Sequence, residues 1–225
     1  MKNLITNKKN RRKLLDINFK SRTKLDGFDK IYFKNKELIN LSSNDYLGLS
    51  KSKDLRNTSI NWIRQYGTSL SSSRMISGNL EIISEIEKSI SKHSNNQNTT
   101  IMGSGFQTNL TLIPAITGNS VGQRNKFFIF SDKLNHSSIN HGCAMTNQKV
   151  FRYRHLDYDH LEYLLQKVPK NSNKIIISET VFSMDGDLAD IKKLRFLSYK
   201  FNCLLYFDEA HAMGVYGGKG FGLAS

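Results

Sequence analysis

Short apolar runs alternate with helical segments along most of this 225-residue chain, and this alternation constrains the fold more than any other feature. Apolar runs such as Phe127–Phe130 and Leu204–Phe207 have strand length, and segments with helical spacing, such as 191–201, lie between them. Continuous apolar strands that alternate with helices are typical of a parallel sheet covered on both faces. The pattern predicts an α/β fold with a mainly parallel sheet flanked by helices. Further strands are predicted at 99–102, 149–153 and 174–178, and further helices at 80–92, 107–116, 137–145 and 158–166.

The first part of the chain is organised differently. Residues 1–50 are predicted to form an N-terminal segment, with a basic helix and a turn in the first 35 residues and a short strand at 36–41. Residues 51–225 are predicted to form the large domain, which begins with a helix at 54–66.

Charge and cysteine content narrow the function classes. The net charge of +14 suggests nucleic acid as a partner, but the basic residues are spread along the chain and are dense only from Lys8 to Lys13. We therefore expect no nucleic-acid partner, and we expect the charge to attract anionic substrates such as an acyl-CoA. Cys143 and Cys203 have no metal-ligand spacing, which is typical of a reducing, cytoplasmic protein without a metal site. No apolar run reaches membrane length, so we expect no membrane partner.

The last predicted strand ends in Asp208, and His211 follows three residues later. Ligands of open α/β sheets bind outside the carboxyl ends of the strands. A carboxylate in that position can keep a pyridine nitrogen protonated, which is what pyridoxal 5'-phosphate (PLP) needs to act as an electron sink. The alternative is a strand end with a helix-capping acid.

Three other predicted strands also end in polar or small residues. Gly103–Gly105 precede a helix and could present N–H groups to a phosphate, or simply form a tight turn. His136 follows the strand at 127–130 and could stack on a flat ring, or be a structural histidine. Glu179 and Ser183 follow the strand at 174–178, in what is otherwise a helix-entry loop capped by Asp187. Together the four ends predict a PLP-shaped crevice.

The chain resembles the α-oxoamine synthases, which are PLP enzymes with the fold-type-I transferase fold. The resemblance rests on six motifs in the family's order, from about residue 20 to the end of the chain. These are Asn44–Leu49, Ser73–Asn79, Ser104–Phe106, Asp132–Ser138, Phe182–Asp187 and Asp208–His211.

The resemblance implies roles for individual residues. Gly105 and Phe106 would bind the cofactor phosphate through backbone N–H groups, and His136 would stack on the pyridine ring. Asp208 would pair with the protonated ring nitrogen. His211 and Ser183 would hydrogen-bond the ring hydroxyl or the bound amino acid. Glu179 would line the site, and Asn44 would lie near the substrate carboxylate. His136, Asp208 and His211 are the expected catalytic residues.

Within the family, residues 77–79 and 182–187 are most similar to the member of the biotin pathway. That member would condense an amino acid, L-alanine, with an acyl thioester, pimeloyl-CoA or its acyl-carrier-protein form, with decarboxylation. Glycine C-acetyltransferase and serine palmitoyltransferase are the alternative members. The resemblance also implies a homodimer.

The spacing of the family's Schiff-base lysine does not match this chain. That lysine is expected roughly thirty residues beyond Asp208, on a later strand. Lys219 lies too early and fits a surface glycine loop instead. We therefore expect an N-terminal portion of the family's chain, without the lysine and the small C-terminal domain. An inactive remnant or one half of a split enzyme is the alternative to a working enzyme.

Overall fold

The computed structural model describes residues 30–33, 36–118 and 126–225. The basic helix and the Leu25–Gly27 turn expected near the N-terminus lie outside these residues. The chain divides into two compact units between Ser69 and Leu70, later than the division at 50/51 that the sequence favoured.

The first unit contains a pair of antiparallel strands and a helix. Strand β1 (Lys30–Phe33) pairs with β2 (Lys36–Ile39), so that Lys30 lies opposite Ile39. Helix α1 (Lys53–Tyr66) follows, and the Ser52 side chain caps it by accepting from the Leu55 N–H. The expectation that residues 30–33 belong to a helix and turn region is wrong, because Ile, Tyr and Phe in succession favour a strand.

The second unit is a four-stranded parallel sheet with helices. In chain order its elements are α2 (Glu81–Ser94), α3 (Gly105–Ile116), β3 (Phe127–Asp132), α4 (Ser137–Ala144), β4 (Lys149–Tyr153), α5 (Tyr158–Gln166), β5 (Asn173–Glu179), α6 (Ile191–Phe201) and β6 (Leu204–Asp208). The strand order is β4-β3-β5-β6, and all three pairings are parallel. The predicted mainly parallel sheet is confirmed.

Each face of the sheet has its own apolar core. Alternate side chains of β3 and β5, such as Ile129 and Ile177, pack with Ile113 of α3 and Ile139 of α4. The other set, including Phe130 and Ile176, packs with residues of α5 and α6 such as Leu161 and Leu194. The sheet therefore has a face covered by α3 and α4 and a face covered by α5 and α6.

The strand predicted at 99–102 is wrong. The segment forms no strand, and side chains bond both backbone groups of Ile101 in its place. The Ile101 N–H donates to Glu87 over 2.7 Å, and the Ile101 carbonyl accepts from Arg74 over 3.0 Å. Arg74 and Glu87 also form a two-pronged ion pair of 2.6 and 2.9 Å, which lowers the pKa of Glu87 to about 2.

A glycine allows two helices to pack closely, and an aspartate caps a third helix. Helices α3 and α4 approach closely at Gly142, where a Cβ would lie 2.4 Å from the Asn109 carbonyl oxygen. Helix α6 is capped by Asp190, which accepts from the Lys193 N–H, and not by Asp187. Among the helices of the described residues, none is both long enough and apolar enough to cross a membrane.

Candidate active site

The alternation of side chains along the strands brings three polar groups to the face covered by α3 and α4. Ile129, Ile175 and Ile177 point to this face, so the next alternate residues, Ser131 and Glu179, follow them. Asp208 lies beside Glu179 in the register of β5 and β6 and follows Tyr206, which packs on the same face. The carboxyl ends of three neighbouring strands therefore carry two carboxylates and a hydroxyl.

Two donors hold the Asp208 carboxylate in place. Its Oδ2 accepts from the Asn109 side-chain amide over 2.8 Å, and its Oδ1 accepts from the Ala210 N–H over 3.0 Å. Asp208 is half-buried, whereas Asn109 on α3 is only 3% exposed. A carboxylate fixed in this way at the end of β6 can hold a cationic ring nitrogen.

Asn109 joins Asp208 to His136. Its amide nitrogen also donates to Ser138 Oγ over 2.9 Å, and Ser138 Oγ lies 2.7 Å from His136 Nδ1. The side-chain oxygen Oδ1 of Asn109 accepts from the Tyr206 hydroxyl over 2.5 Å. One hydrogen-bonded chain therefore runs from the histidine before α4, through α3, to the acid at the end of β6.

Glu179 is 2% exposed and is held by backbone N–H groups of two loops. The N–H groups of His136 and Ser183 both donate to its carboxylate. Burial raises the pKa of Glu179 to about 7, because the negative charges of Asp208 and Asp132 add to desolvation and outweigh the two N–H donors. A carboxyl group at this position can change its charge near neutral pH.

Helix α3, which carries Asn109, presents backbone N–H groups at its N-terminus. Ser104 caps the helix, since its hydroxyl accepts from the Gln107 N–H over 3.1 Å. Gly105 and Phe106 are the first two helical residues, so their N–H groups have no acceptor within the helix. Both residues are exposed, and free N–H groups at a helix N-terminus suit a phosphate.

The other predicted site residues are placed as follows. His211 is half-buried in the turn after β6, and the Ser183 side chain is exposed. Asn44 is exposed and belongs to the first unit. Lys219 is exposed in a glycine-rich loop, in which Gly222 packs against the Glu209 carboxylate at a φ of +104°.

The sequence motifs assign no role to three residues that support the candidate site. Asn109 holds Asp208, and Ser138 connects Asn109 to His136. Asn135, 4% exposed, locks the loop before α4 onto β5 by accepting from the Glu179 N–H and donating to the Ile177 carbonyl. A signal for Asn109 was available, because it lies one helical turn before the fully buried Ile113 and so breaks an apolar stripe.

Sequence comparison finds relatives with one shared name. A protein named putative 8-amino-7-oxononanoate synthase from Haemophilus influenzae is 41% identical over 198 residues, which are 85% of this chain and 50% of the relative. The 8-amino-7-oxononanoate synthase of Gluconacetobacter diazotrophicus is 38% identical over 84% of this chain and 48% of the relative. The chain thus spans about half the length of the curated relatives it matches.

Solved structures show the same fold. A serine palmitoyltransferase with PLP matches with a TM-score of 0.81 and 25% identity, over 89% of this chain and 49% of its own. The serine palmitoyltransferase of S. paucimobilis with a bound PLP–myriocin aldimine matches with a TM-score of 0.79 and 26% identity, over 87% and 49%. The 8-amino-7-oxononanoate synthase of Francisella tularensis matches with 0.63 and 28%, over 80% and 47%.

A family profile covers most of the described chain. The profile of the aminotransferases of class I and II matches residues 36–224, a range that includes both carboxylates and the hydrogen-bonded chain between His136 and Asp208. The parallel sheet with its helices and the relatives at about 40% identity agree with this match. The chain belongs to the aminotransferase class I and II family.

Proposed function

We propose that this chain binds PLP at the carboxyl ends of β3, β5 and β6 and serves an α-oxoamine synthase reaction. The observation that carries the proposal is the hydrogen-bonded chain that joins His136 to Asp208 through Ser138 and Asn109. It fixes a ring-stacking candidate and a carboxylate relative to one another. Two of the structural relatives contain PLP, which supports the choice of cofactor.

The residues present fit this group. Asp208 offers a half-buried carboxylate held by two donors, and Gly105 and Phe106 offer N–H groups without helical acceptors. An aromatic side chain at position 136 can cover one face of a pyridine ring. These are the three contacts that a phosphorylated pyridine needs.

Each residue then has a defined task. When bound, PLP supplies a protonated pyridine ring that withdraws the electron pair left on the α-carbon of an amino acid. Asp208 would keep the proton on the ring nitrogen, and His136 would stack on the ring. The N–H groups of Gly105 and Phe106 neutralise the phosphate. We assign His211 and Ser183 to the ring hydroxyl or the bound amino acid, on resemblance.

Glu179 has a task that follows from its position beside Asp208. Its carboxyl is held by the N–H groups of His136 and Ser183, so it fixes the loops that carry both residues. The negative charge of Asp208 is one of the causes that raise the pKa of Glu179. A cationic ring beside Asp208 would cancel that contribution, so Glu179 should lose its proton when the ring binds. The site would then carry two negative charges around one cation.

The substrates follow from the relatives named 8-amino-7-oxononanoate synthase. We infer that L-alanine is the amino acid and that a pimeloyl thioester is the acyl donor. The reaction would form a carbon–carbon bond between the α-carbon and the acyl carbon, and release CO2 and the thiol. A homodimer, a cytoplasmic location and a role in biotin synthesis complete the proposal.

Cofactor binding can be tested on these 225 residues directly. Pyridoxamine 5'-phosphate is the probe, because it keeps the ring and phosphate but has no aldehyde to react with the many surface lysines. We expect saturable binding that weakens about tenfold in His136→Ala, as loss of a stacking contact of about 1.5 kcal/mol implies. His93→Ala is the control, because His93 is an exposed histidine of α2.

A second variant tests the role of Asp208. In Asp208→Asn the bound ring nitrogen should lose its proton at neutral pH, which ¹⁵N chemical shifts of labelled probe report. Wild-type protein that does not bind the probe, or binding that is equal in wild type and in His136→Ala, would refute the proposed cofactor site. A ring nitrogen with the same protonation in Asp208→Asn would refute the role of the acid.

A further inference from the structure

His155, outside the site described so far, lies between two carboxylates. It follows β4, and its Nδ1 is 2.9 Å from Asp132 Oδ1 while its Nε2 is 3.2 Å from Asp187 Oδ2. Both acids are acceptors when ionised, so both ring nitrogens must donate, and the ring that satisfies both contacts is the protonated imidazolium. Within the described chain, these two acids are the charged groups that act on His155.

The two carboxylates belong to two different loops. Asp132, fully buried at the end of β3, starts the loop that leads to His136, and its Oδ1 also accepts from the Leu134 N–H over 2.8 Å. Asp187 lies in the hairpin of residues 181–188, in which its carbonyl accepts from the Phe182 N–H over 2.9 Å.

Ring packing strengthens the connection to the hairpin. The His155 ring meets the ring of Phe182, which is 2% exposed, edge-on at 4.4 Å and 85°. The neighbouring Leu156 N–H donates to Asp132 Oδ2 over 3.0 Å, although Leu156 has a φ of +51° that a branched residue rarely adopts. The turn at 155–156 is thus held in a strained conformation by the same buried acid.

The loop after β3 and the hairpin of residues 181–188 also meet at Glu179. His136 from the first loop and Ser183 from the hairpin both donate their N–H groups to the Glu179 carboxylate. We propose that His155, as an imidazolium between Asp132 and Asp187, is a positioning residue that holds these two loops together and thereby places His136 and Ser183 around Glu179. The placement matters for cofactor binding only if the proposed function holds; the coupling of the loops does not depend on it.

Burial indicates which contact fails when His155 loses its proton. The Asp132 side chain is 0% exposed and that of Asp187 is 50% exposed, so the contact with Asp187 is the weaker one. A neutral ring has one nitrogen that accepts, and that nitrogen would face a carboxylate oxygen. The hairpin should therefore be released as the pH rises.

The sign of this effect agrees with the electrostatics. Burial by itself would lower the pKa of His155, but its hydrogen bonds with Asp132 and Asp187 raise the pKa above the ordinary 6.5. We call the contacts of His155 with Asp132 and Asp187 the clamp. A raised pKa in the folded state means that the stabilisation from the clamp is fully present below about pH 6.5 and is lost as the pH rises through the folded-state pKa of His155.

Amide hydrogen exchange of the hairpin tests the proposal without any ligand. The Phe182 and Gly186 amides both bond within the hairpin and report on its opening. In wild type, their protection should fall about tenfold as the pH rises through the titration of His155, which ¹⁵N NMR of the histidine rings follows separately. In His155→Gln it should be low at every pH, whereas His93→Gln should behave as wild type because His93 bonds only to its own helix.

Two results would overturn the proposal. One is hairpin protection that is independent of pH in wild type, and the other is a His155 ring that carries a single proton at pH 6. If His155→Gln does not fold, Asp187→Asn decides, because it removes the more exposed acid; hairpin protection equal to that of wild type would then refute the clamp.

A binding measurement separates this proposal from the proposed function. Pyridoxamine 5'-phosphate should bind His155→Gln about tenfold more weakly than wild type if the loops form the cofactor site. If the hairpin responds as expected but wild type does not bind the probe, the clamp holds and the cofactor assignment fails. If wild type binds the probe and His155→Gln binds it equally well, the positioning role fails.

Discussion

Replacing Asn109 by alanine should destabilise the second unit strongly, because the side chain is nearly fully buried and makes three side-chain hydrogen bonds. The bonds to Ser138 and Tyr206 are neutral and contribute about 1 kcal/mol each, and the bond to the Asp208 carboxylate contributes about 2 kcal/mol. Ser138 keeps its contact with His136 and Asp208 keeps the Ala210 N–H, so the full loss is not reached. We expect a loss of about 3 kcal/mol in the free energy of unfolding.

Urea unfolding followed by far-ultraviolet circular dichroism measures this loss. With a slope of about 2 to 3 kcal/mol per molar urea, the midpoint should fall by about 1 M. Asn96→Ala is the matched control, since Asn96 is exposed and its side chain donates to Ser94 Oγ at the end of α2. Its midpoint should change by less than a fifth of that amount. A loss in Asn109→Ala below about 1 kcal/mol would refute the view that this amide organises the site.

Three further predictions test individual positions. The folded-state pKa of Glu179 is raised from 4.5 to about 7, so the protonated carboxyl stabilises the folded state. This stabilisation is complete below about pH 4.5 and is lost as the pH rises to about 7. Glu179→Gln should therefore show a smaller fall in urea midpoint between pH 5 and pH 7.5 than wild type. Gly142→Ala should lower the free energy of unfolding by at least about 2 kcal/mol, because the added Cβ would meet the backbone carbonyl of Asn109. Gly105→Ala is the control, since no atom lies within 4 Å of its Cβ, and its free energy of unfolding should stay within about 0.5 kcal/mol of wild type. Equal midpoints for the two variants would contradict the close packing of α3 and α4. Borohydride reduction in the presence of PLP, followed by peptide mapping, should leave no stoichiometric phosphopyridoxyl group on Lys219, and finding one would make the glycine-rich loop part of the site.

The sheet could be predicted because most of its strands contain continuous apolar runs and its helices have clear periodicity. Helix α5, helix α6 and strand β4 begin and end at the predicted residues. The segment at 99–102 has the composition of a strand, but the backbone groups of Ile101 bond to the side chains of Arg74 and Glu87, which are far away in sequence. Local composition carries no information on such contacts.

The positions of two acids at strand ends could be predicted in the same way, whereas the residues that hold them could not. Asp208 and Glu179 were found because each ends an apolar strand, and strand ends are visible in sequence. Asn109 acts on Asp208 across 99 residues, and His155 acts on Asp187 across 32. Nothing local distinguishes an asparagine or histidine that holds a distant acid from one that faces solvent.

A crystal structure of this chain with pyridoxamine 5'-phosphate would show whether these residues form a PLP site. We expect a ring whose nitrogen lies within hydrogen-bonding distance of Asp208, whose face lies on His136, and whose phosphate contacts the N–H groups of Gly105 and Phe106. A probe bound at another part of the sheet, or with its phosphate beside Asp208, would contradict the assignment of these residues to a PLP site.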